Sequence, residues 1–269
     1  MNNTTSLTSL IAGTALIASA NALADPQSEC SALPDHAQLK DALDQAVAQP
    51  STPTGGFGLD MWATLVNRDG VVCAVAFSGA DRGSQWPGSR VISAQKANTA
   101  NAFSLDTANV FSLDGLALST ANLFSAVQPG GSLFGLQHSN PVDTGVAYKG
   151  PSRNYGQPHD PMVGEKIGGV NVFGGGLGLY DAQGNLVGGL GLSGDTSCAD
   201  HMKAWLVRAN LALDNLSGVG GVSGDGARPD NIVYDIDANP NGGTGISAGG
   251  FGHAGCFNTT VQTALPAVQ

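Results

Sequence analysis

The sequence predicts an α+β protein whose antiparallel sheet has about five strands and is flanked by helices. Two apolar hairpins predict the sheet: one turns at Asn67-Arg68-Asp69-Gly70 and the other at 181–185. A segment with helical periodicity precedes the first hairpin, and others follow each hairpin. The predicted order is therefore α-ββ-αα-βββ-α, followed by a C-terminal tail that wraps the domain.

Helical spacing defines the first element. Leu39, Leu43, Ala46 and Val47 recur on one stripe and predict an amphipathic helix over 32–49. The Asp-Gly pair of the first hairpin is a strong signal for a tight turn between two strands.

The middle of the chain combines predicted helices with a long loop. Helices are predicted over 88–104 and 116–128, and a short repeat lies here as TANAFSLD, TANVFSLD and TANLFS. Its irregular spacing indicates local duplication in a helical region rather than a solenoid. Residues 129–169 are rich in Gly, Pro and Asn, and a loop of this length in a compact domain is often functional.

The last predicted helix begins within the segment GDTSCADH. Ser197 is the expected N-cap with Asp200 three residues further on, and Met202 and Trp205 lead the buried stripe. GDTSC lacks the G-x-S-x-G pattern, so a hydrolase nucleophile elbow is not predicted.

The first residues have the layout of a secretory signal peptide. An apolar run over 7–20 is followed by Ala22-Leu23-Ala24, an A-x-A cleavage pattern. We therefore expect a periplasmic or secreted protein with a signal peptide over 1–24. The main domain is expected over 25–213, and an irregular extension packed on it over 214–269.

Composition excludes several classes of function. The net charge is −10 with only 11 Lys and Arg residues, which argues against binding to a nucleic-acid backbone. No apolar run is long enough to span a membrane. The chain contains 39 Gly, which indicates a loop-rich but folded protein because the apolar content is 42%.

The four cysteines are expected to form two disulfides in an exported protein. The favoured pairing joins Cys198 to Cys256, which would pin the tail to the last helix, and Cys30 to Cys73. The alternative is a Cys₂His₂ zinc site, because C-x-x-H and H-x-x-C spacings bring together Cys198, His201, His253 and Cys256.

Calcium binding is disfavoured. The segment DIDANPNGGTG begins like an EF-hand loop with Asp235, Asp237 and Asn239. Pro240 then occupies the position that requires Gly, and Ile246 the position of the bidentate Glu.

Four segments together resemble the GlcG/HbpS family of haem-binding proteins, also described as haem-degrading or DUF336. They are the hairpin LVNRDGVVCAVAFSGAD, the helical K-x-x-T-A at Lys96–Ala100, GGVNVFGGG at 168–176 and LVGGLGLSGD at 186–195. The resemblance covers roughly residues 35–212. It implies a profilin-like fold, a homo-oligomer and haem as the cofactor.

Haem binding would need axial ligands and cations for the propionates. The histidine candidates for the iron are His201, His253 and His159. Arg90 and Lys96, six residues apart on one predicted helix, are the candidates for the propionates. No catalytic residue is assigned.

Three functions follow as hypotheses. The first is an exported protein that scavenges, carries or senses haem, with slow haem degradation as an added activity; a binding protein is favoured over an enzyme. The second is an enzyme for a small organic substrate in a Gly-lined pocket. The third is a non-catalytic oligomeric interaction module. A haem absorption band on hemin titration would favour the first.

Overall fold

The computed structural model describes Met1 and residues 29–49, 55–110, 113–243, 245–256 and 265–269. The predicted signal peptide therefore lies, Met1 aside, outside the described residues. None of the described helices is both long and apolar enough to cross a membrane.

Helices and strands follow one another in an order close to the predicted one. In chain order they are α1 (His36–Ala48), β1 (Trp62–Asn67), β2 (Val72–Phe77), α2 (Ser89–Phe103), β3 (Leu105–Val110), β4 (Leu113–Ala117), α3 (Leu136–Ser139), α4 (Thr144–Ala147), β5 (Gly176–Tyr180), β6 (Leu186–Ser193), α5 (Ser197–Asn210), β7 (Val219–Gly221), β8 (Ile236–Asp237) and β9 (Ile246–Ser247).

The two predicted hairpins form one four-stranded antiparallel sheet in the order β2-β1-β6-β5. Gly70 closes the first hairpin with a φ of 78°, a conformation that glycine adopts without steric cost. The α+β class with an antiparallel sheet is confirmed. The number of strands differs from the prediction, because the main sheet has four strands where about five were expected.

Helices cover both faces of this sheet. Alternate residues of β1 point to opposite faces: Ala63 and Leu65 pack with α1 and α5, whereas Trp62 and Val66 pack with α2. Glycines in β6 allow α2 to approach closely. A Cβ at Gly191 would lie 1.9 Å from the Ser93 carbonyl oxygen, so no larger residue fits there.

The helix predicted over 116–128 is wrong. That segment contains the end of β4, then turns and a 3-10 turn at Ser125–Val127. The three TAN repeats adopt three conformations: 99–101 is helical, 107–109 lies in β3 and 120–122 is a turn. A shared local sequence is overridden here by the different neighbours of each copy.

The C-terminal tail packs on the domain with little regular structure. Strand β7 pairs in parallel with β4, and the short strands β8 and β9 pair with each other. The Trp205 indole N–H donates to the Pro266 carbonyl at 3.0 Å. A buried ion pair joins Arg208 of α5 to Asp230 at 2.5 Å. These contacts hold the tail against the last helix.

Candidate functional site

The cysteines are paired as predicted. Cys198 is bonded to Cys256 across 58 residues, and Cys30 to Cys73 across 43. Sulfurs that are bonded to each other cannot act as zinc thiolates, so the Cys₂His₂ alternative does not fit this arrangement. The part of the chain that the structure describes also holds no group of three or more potential metal ligands.

Arg90, a sequence candidate for a haem propionate, is paired inside the protein. It is buried, and its Nε donates to Asp160 Oδ2 at 2.8 Å while its Nη2 donates to Asp160 Oδ1. Its Nη1 donates to the Ala147 carbonyl at 2.8 Å, and its guanidinium carbon lies 3.7 Å from the centre of the Tyr155 ring. The charge is therefore neutralised inside the protein, where it cannot meet a propionate.

Lys96 is also buried, which corrects the second propionate assignment. Its ammonium group contacts Asp200 at 2.7 Å and donates to the Leu192 carbonyl at 3.0 Å. Burial lowers the pKa of Lys96, and the Asp200 charge opposes that shift. Burial raises the pKa of Asp200 to about 6, again against the effect of its partner.

The predicted histidine ligands lie in different environments. His159 is exposed in the long loop. His201 is fully buried on α5, and neither ring nitrogen has a hydrogen-bond partner among the described residues. Burial lowers the pKa of His201 to about 3, and the Asp230 charge opposes this shift.

His253 lies in the tail and is buried against Phe124, with ring centres 4.8 Å apart. Its Nε2 lies 3.0 Å from Ser197 Oγ, and its Nδ1 lies 2.6 Å from the Ala254 carbonyl oxygen. Both ring nitrogens of His253 are thus engaged, and neither forms a hydrogen bond with His201. Ser197 occupies the first turn of α5, whereas Thr196 is the N-cap, which corrects the predicted cap.

The structure has an aromatic cleft of about 510 Å³ at the N-terminal end of α2. Its walls combine aromatic side chains with small residues and one cation. The cleft is lined by Trp62, Asp81, Arg82, Gly83, Pro87, Gly88, Tyr148, Ser152 and Tyr155. Tyr148 is 59% exposed, so its phenol is open to a ligand.

The Arg90–Asp160 pair supports one wall of the aromatic cleft. The Asp160 carboxylate also accepts from the backbone N–H groups of Gly156 and Met162 at 2.6 and 2.9 Å. Together with the bond from Arg90 to Ala147, these contacts fix both ends of the loop that carries Tyr148 and Tyr155. The buried ion pair therefore positions the wall without touching the space inside.

The opposite wall depends on Trp62. Its indole N–H donates to the Trp86 carbonyl at 3.1 Å, and its ring packs edge-on against Phe77 with centres 5.2 Å apart. Gly156 lies against both rings with a φ of 73°, and a Cβ there would be 2.3 Å from Phe77 Cδ1. Glycine is required at this position for both reasons.

Two other clefts differ from the aromatic cleft in chemistry. One of about 500 Å³ contains His36 and the Cys30–Cys73 disulfide, and no Lys or Arg lines it. Another of about 640 Å³ lies between the segment 125–132 and the tail, and it is lined mainly by Gly and Ser. Near that cleft, the Asp235 carboxylate accepts hydrogen bonds from Ser247 Oγ and the Gly249 backbone N–H. Asp235 is the first residue of the segment that begins like an EF-hand loop, and its carboxylate is thus engaged within the tail.

Sequence reasoning did not find the residues of the aromatic cleft. Tyr148, Ser152 and Tyr155 lie in the long loop at 129–169, which was expected to be functional as a whole. The available signal was the presence of two tyrosines in a loop rich in Gly, Pro and Asn. Arg82 follows the first hairpin directly and carried no motif.

The chain belongs to the HbpS-like family of haem degrading proteins, because the family's sequence model matches residues 35–206. This confirms the resemblance predicted from the four segments. The matched region includes the sheet, α1, α2 and most of α5, but not the tail that carries His253 and Cys256.

Several solved structures are distantly similar. The PduOC:heme complex is 23% identical, with 66% of this chain and 94% of that chain covered at a TM-score of 0.42. The DUF336 protein ORFY of Klebsiella pneumoniae is 20% identical, with 65% and 86% covered at 0.40. A double mutant of Streptomyces reticuli HbpS is 14% identical, with 77% and 99% covered at 0.39. No curated protein matches the chain.

Proposed function

We propose that this protein binds haem in the aromatic cleft. The observation that carries the proposal is the donor set of that cleft, in a chain of a haem-degrading family. A porphyrin is flat, apolar on its faces and anionic at its propionates. The aromatic rings of Tyr148 and Tyr155, backed by the buried Trp62 and accompanied by Arg82, match those properties.

The residues of the cleft fit haem better than the histidines predicted from the sequence. The exposed Tyr148 phenol can supply an axial oxygen, a ligand type known for haem iron, and Arg82 can pair with a propionate. His201 and His253 are buried in the interior and line none of the three clefts described above. When bound, haem would supply the iron centre on which binding or degradation depends.

We further propose that the protein works outside the reducing cytosol, where it scavenges, carries or senses haem. Two disulfides support this location, since such bonds persist in oxidising compartments.

Hemin titration of the purified protein tests the proposal. The expected result is an absorption band at a dissociation constant of about 1 μM or tighter, roughly −8 kcal/mol. Tyr148→Phe should weaken binding at least about tenfold and change the band position, because the oxygen donor is lost.

Tyr234→Phe is the matched control, because Tyr234 lies in the tail and lines none of the clefts described above. It should leave hemin binding unchanged. A flat difference spectrum would refute haem binding, and a loss of binding in His36→Ala with normal binding in Tyr148→Phe would move the site to the 500 Å³ cleft, which His36 lines. Loss of the band over time with peroxide would identify degradation.

We also propose a homo-oligomer, at least a dimer. Trp86 and Tyr148, which flank the aromatic cleft, are 51% and 59% exposed, and large exposed apolar side chains often mark contact surfaces. Light scattering at micromolar concentration should give a mass of at least twice 27.0 kDa for the full chain, less any leader removed. A monomeric mass would contradict it.

A further inference from the structure

A serine and a histidine lie in hydrogen-bond contact where the tail meets the last helix. Ser197 Oγ lies 3.0 Å from His253 Nε2. Ser197 is half-buried and therefore reachable from solvent, whereas the imidazole is 3% exposed. A hydroxyl beside an imidazole nitrogen at this distance is the arrangement of a serine nucleophile and its general base.

The ring of His253 is held in the orientation that a base requires. Its Nδ1 lies 2.6 Å from the Ala254 carbonyl oxygen, which can only accept, so Nδ1 carries the proton. The lone pair of Nε2 therefore points at the Ser197 hydroxyl. Burial also lowers the pKa of His253, which keeps the ring neutral and able to accept a proton at pH 7.

Ser197 begins α5, which brings backbone donors close to its hydroxyl. The cap residue Thr196 bonds the backbone N–H groups of Ala199 and Asp200. No acceptor for the Ser197 and Cys198 backbone N–H groups lies among the described residues. Two free N–H groups at a helix N-terminus can stabilise an oxyanion that forms beside Ser197.

From this arrangement we infer that Ser197 and His253 form a second functional site, one that hydrolyses small carboxylic esters. Ser197 Oγ attacks the ester carbonyl carbon and passes its proton to His253 Nε2. The C–O bond to the alcohol breaks, and His253 returns the proton to the departing alcohol. Water then attacks the acyl-serine with His253 as base, which releases the carboxylic acid and restores Ser197.

The geometry limits the substrate and the rate. Ala254 and Gly255 beside the pair are exposed, but none of the clefts described above opens on Ser197, which favours small acyl groups. The third member is a neutral carbonyl rather than a carboxylate, so the imidazolium is less stabilised and turnover should be slow. The site is separate from the proposed haem cleft, and it depends on a tail that the family model does not match.

A serine-directed fluorophosphonate probe tests the inference on the intact, oxidised protein. The expected result is one probe per chain on the tryptic peptide that contains Ser197, together with slow hydrolysis of p-nitrophenyl acetate. Peptide mapping that finds Ser197 unmodified after prolonged exposure would overturn the inference. The labelling experiment uses the unmutated protein, so the misfolding of a variant cannot affect its result.

Three variants then distinguish the roles of the nucleophile and the base from background ester hydrolysis. Ser197→Ala should lower ester hydrolysis at least about 100-fold and abolish labelling, and His253→Gln should have a similar effect. Ser125→Ala is the matched control, because Ser125 Oγ bonds the neighbouring Gly252 carbonyl and no histidine. Equal activity in Ser125→Ala and Ser197→Ala would refute the role of Ser197. Hemin affinity should be the same in all three variants, which separates this site from the haem cleft.

Discussion

Two buried ion pairs on the same helix show how similar contacts can have different consequences. Arg90 and Lys96 both lie on α2 and both meet an aspartate in the interior. Arg90 and Asp160 bond mainly to a loop, through Ala147, Gly156 and Met162. The contacts of the first pair therefore shape the aromatic cleft.

The second pair fastens regular elements to each other. Lys96 also bonds the Leu192 carbonyl of β6, and the second oxygen of Asp200 accepts from the Asp195 backbone at 2.9 Å. The pair thus joins α2, β6 and the start of α5 in the core. We expect loss of the Lys96 pair to affect mainly stability, and loss of the Arg90 pair to affect mainly the cleft.

The largest expected effect is that of Lys96→Met. It leaves Asp200 buried without its cation, which should lower the free energy of unfolding by about 3–5 kcal/mol. Denaturant unfolding measures this. Lys40→Met is the control, because the Lys40–Asp44 pair is partly exposed and should contribute less than about 1 kcal/mol. Similar losses in the two variants would contradict a core role for Lys96.

Asp160→Asn should lower stability by about 2–3 kcal/mol, since the buried Arg90 loses its counter-charge but the amide oxygen of asparagine can still accept one hydrogen bond. It should also weaken hemin binding at least about tenfold, because the loop with Tyr148 and Tyr155 is no longer fixed. Glu165→Gln alters an exposed pair with Lys149 near the same loop and should change neither quantity. Unchanged hemin affinity in Asp160→Asn would remove the link between this pair and the cleft.

Gly156→Ala should lower stability by about 2 kcal/mol. Its positive φ and the contact with Phe77 both disfavour a Cβ. Gly130→Ala separates the two causes, because Gly130 has a φ of 88° and open space around its Cβ position. The thermal midpoint should fall more for Gly156→Ala, and only that variant should weaken hemin binding. Equal shifts would mean that packing against Phe77 is unimportant.

The expected effect that is smallest at neutral pH is that of the titration of His201. His201 has a pKa of about 3 in the fold and about 6.5 when unfolded, so between these values the unfolded chain binds the extra proton. The contribution of the neutral His201 ring to the free energy of unfolding is therefore complete above pH 6.5. It falls as the pH drops below that value, by at most about 1.4 kcal/mol per pH unit. His201→Gln should show a shallower loss between pH 6.5 and 4.5. The exposed His159→Gln should keep the wild-type slope, and identical slopes in all three proteins would disprove the assignment.

Local signals predicted the hairpins, the helices α1, α2 and α5, and the disulfide pairing. Each depends on periodicity, a turn dipeptide or the redox compartment, which are readable over short stretches. The partners of Arg90 and Lys96 were not predictable, because Asp160 and Asp200 lie 70 and 104 residues away. The helix predicted at 116–128 failed for a related reason, since β3 and β7 pair with β4 there.

The Cys198–Cys256 bond implies that oxidation precedes the full proposed activity during maturation of this protein. Closing a chain segment of this length contributes about 4 kcal/mol in the chain-entropy model, a large share of what can hold an irregular tail in place. While its thiols are reduced, the newly made chain would hold the tail only by non-covalent contacts such as those of Trp205 and Arg208, and His253 would meet Ser197 less often. The proposed ester hydrolysis would therefore reach its full rate only after the two thiols are oxidised.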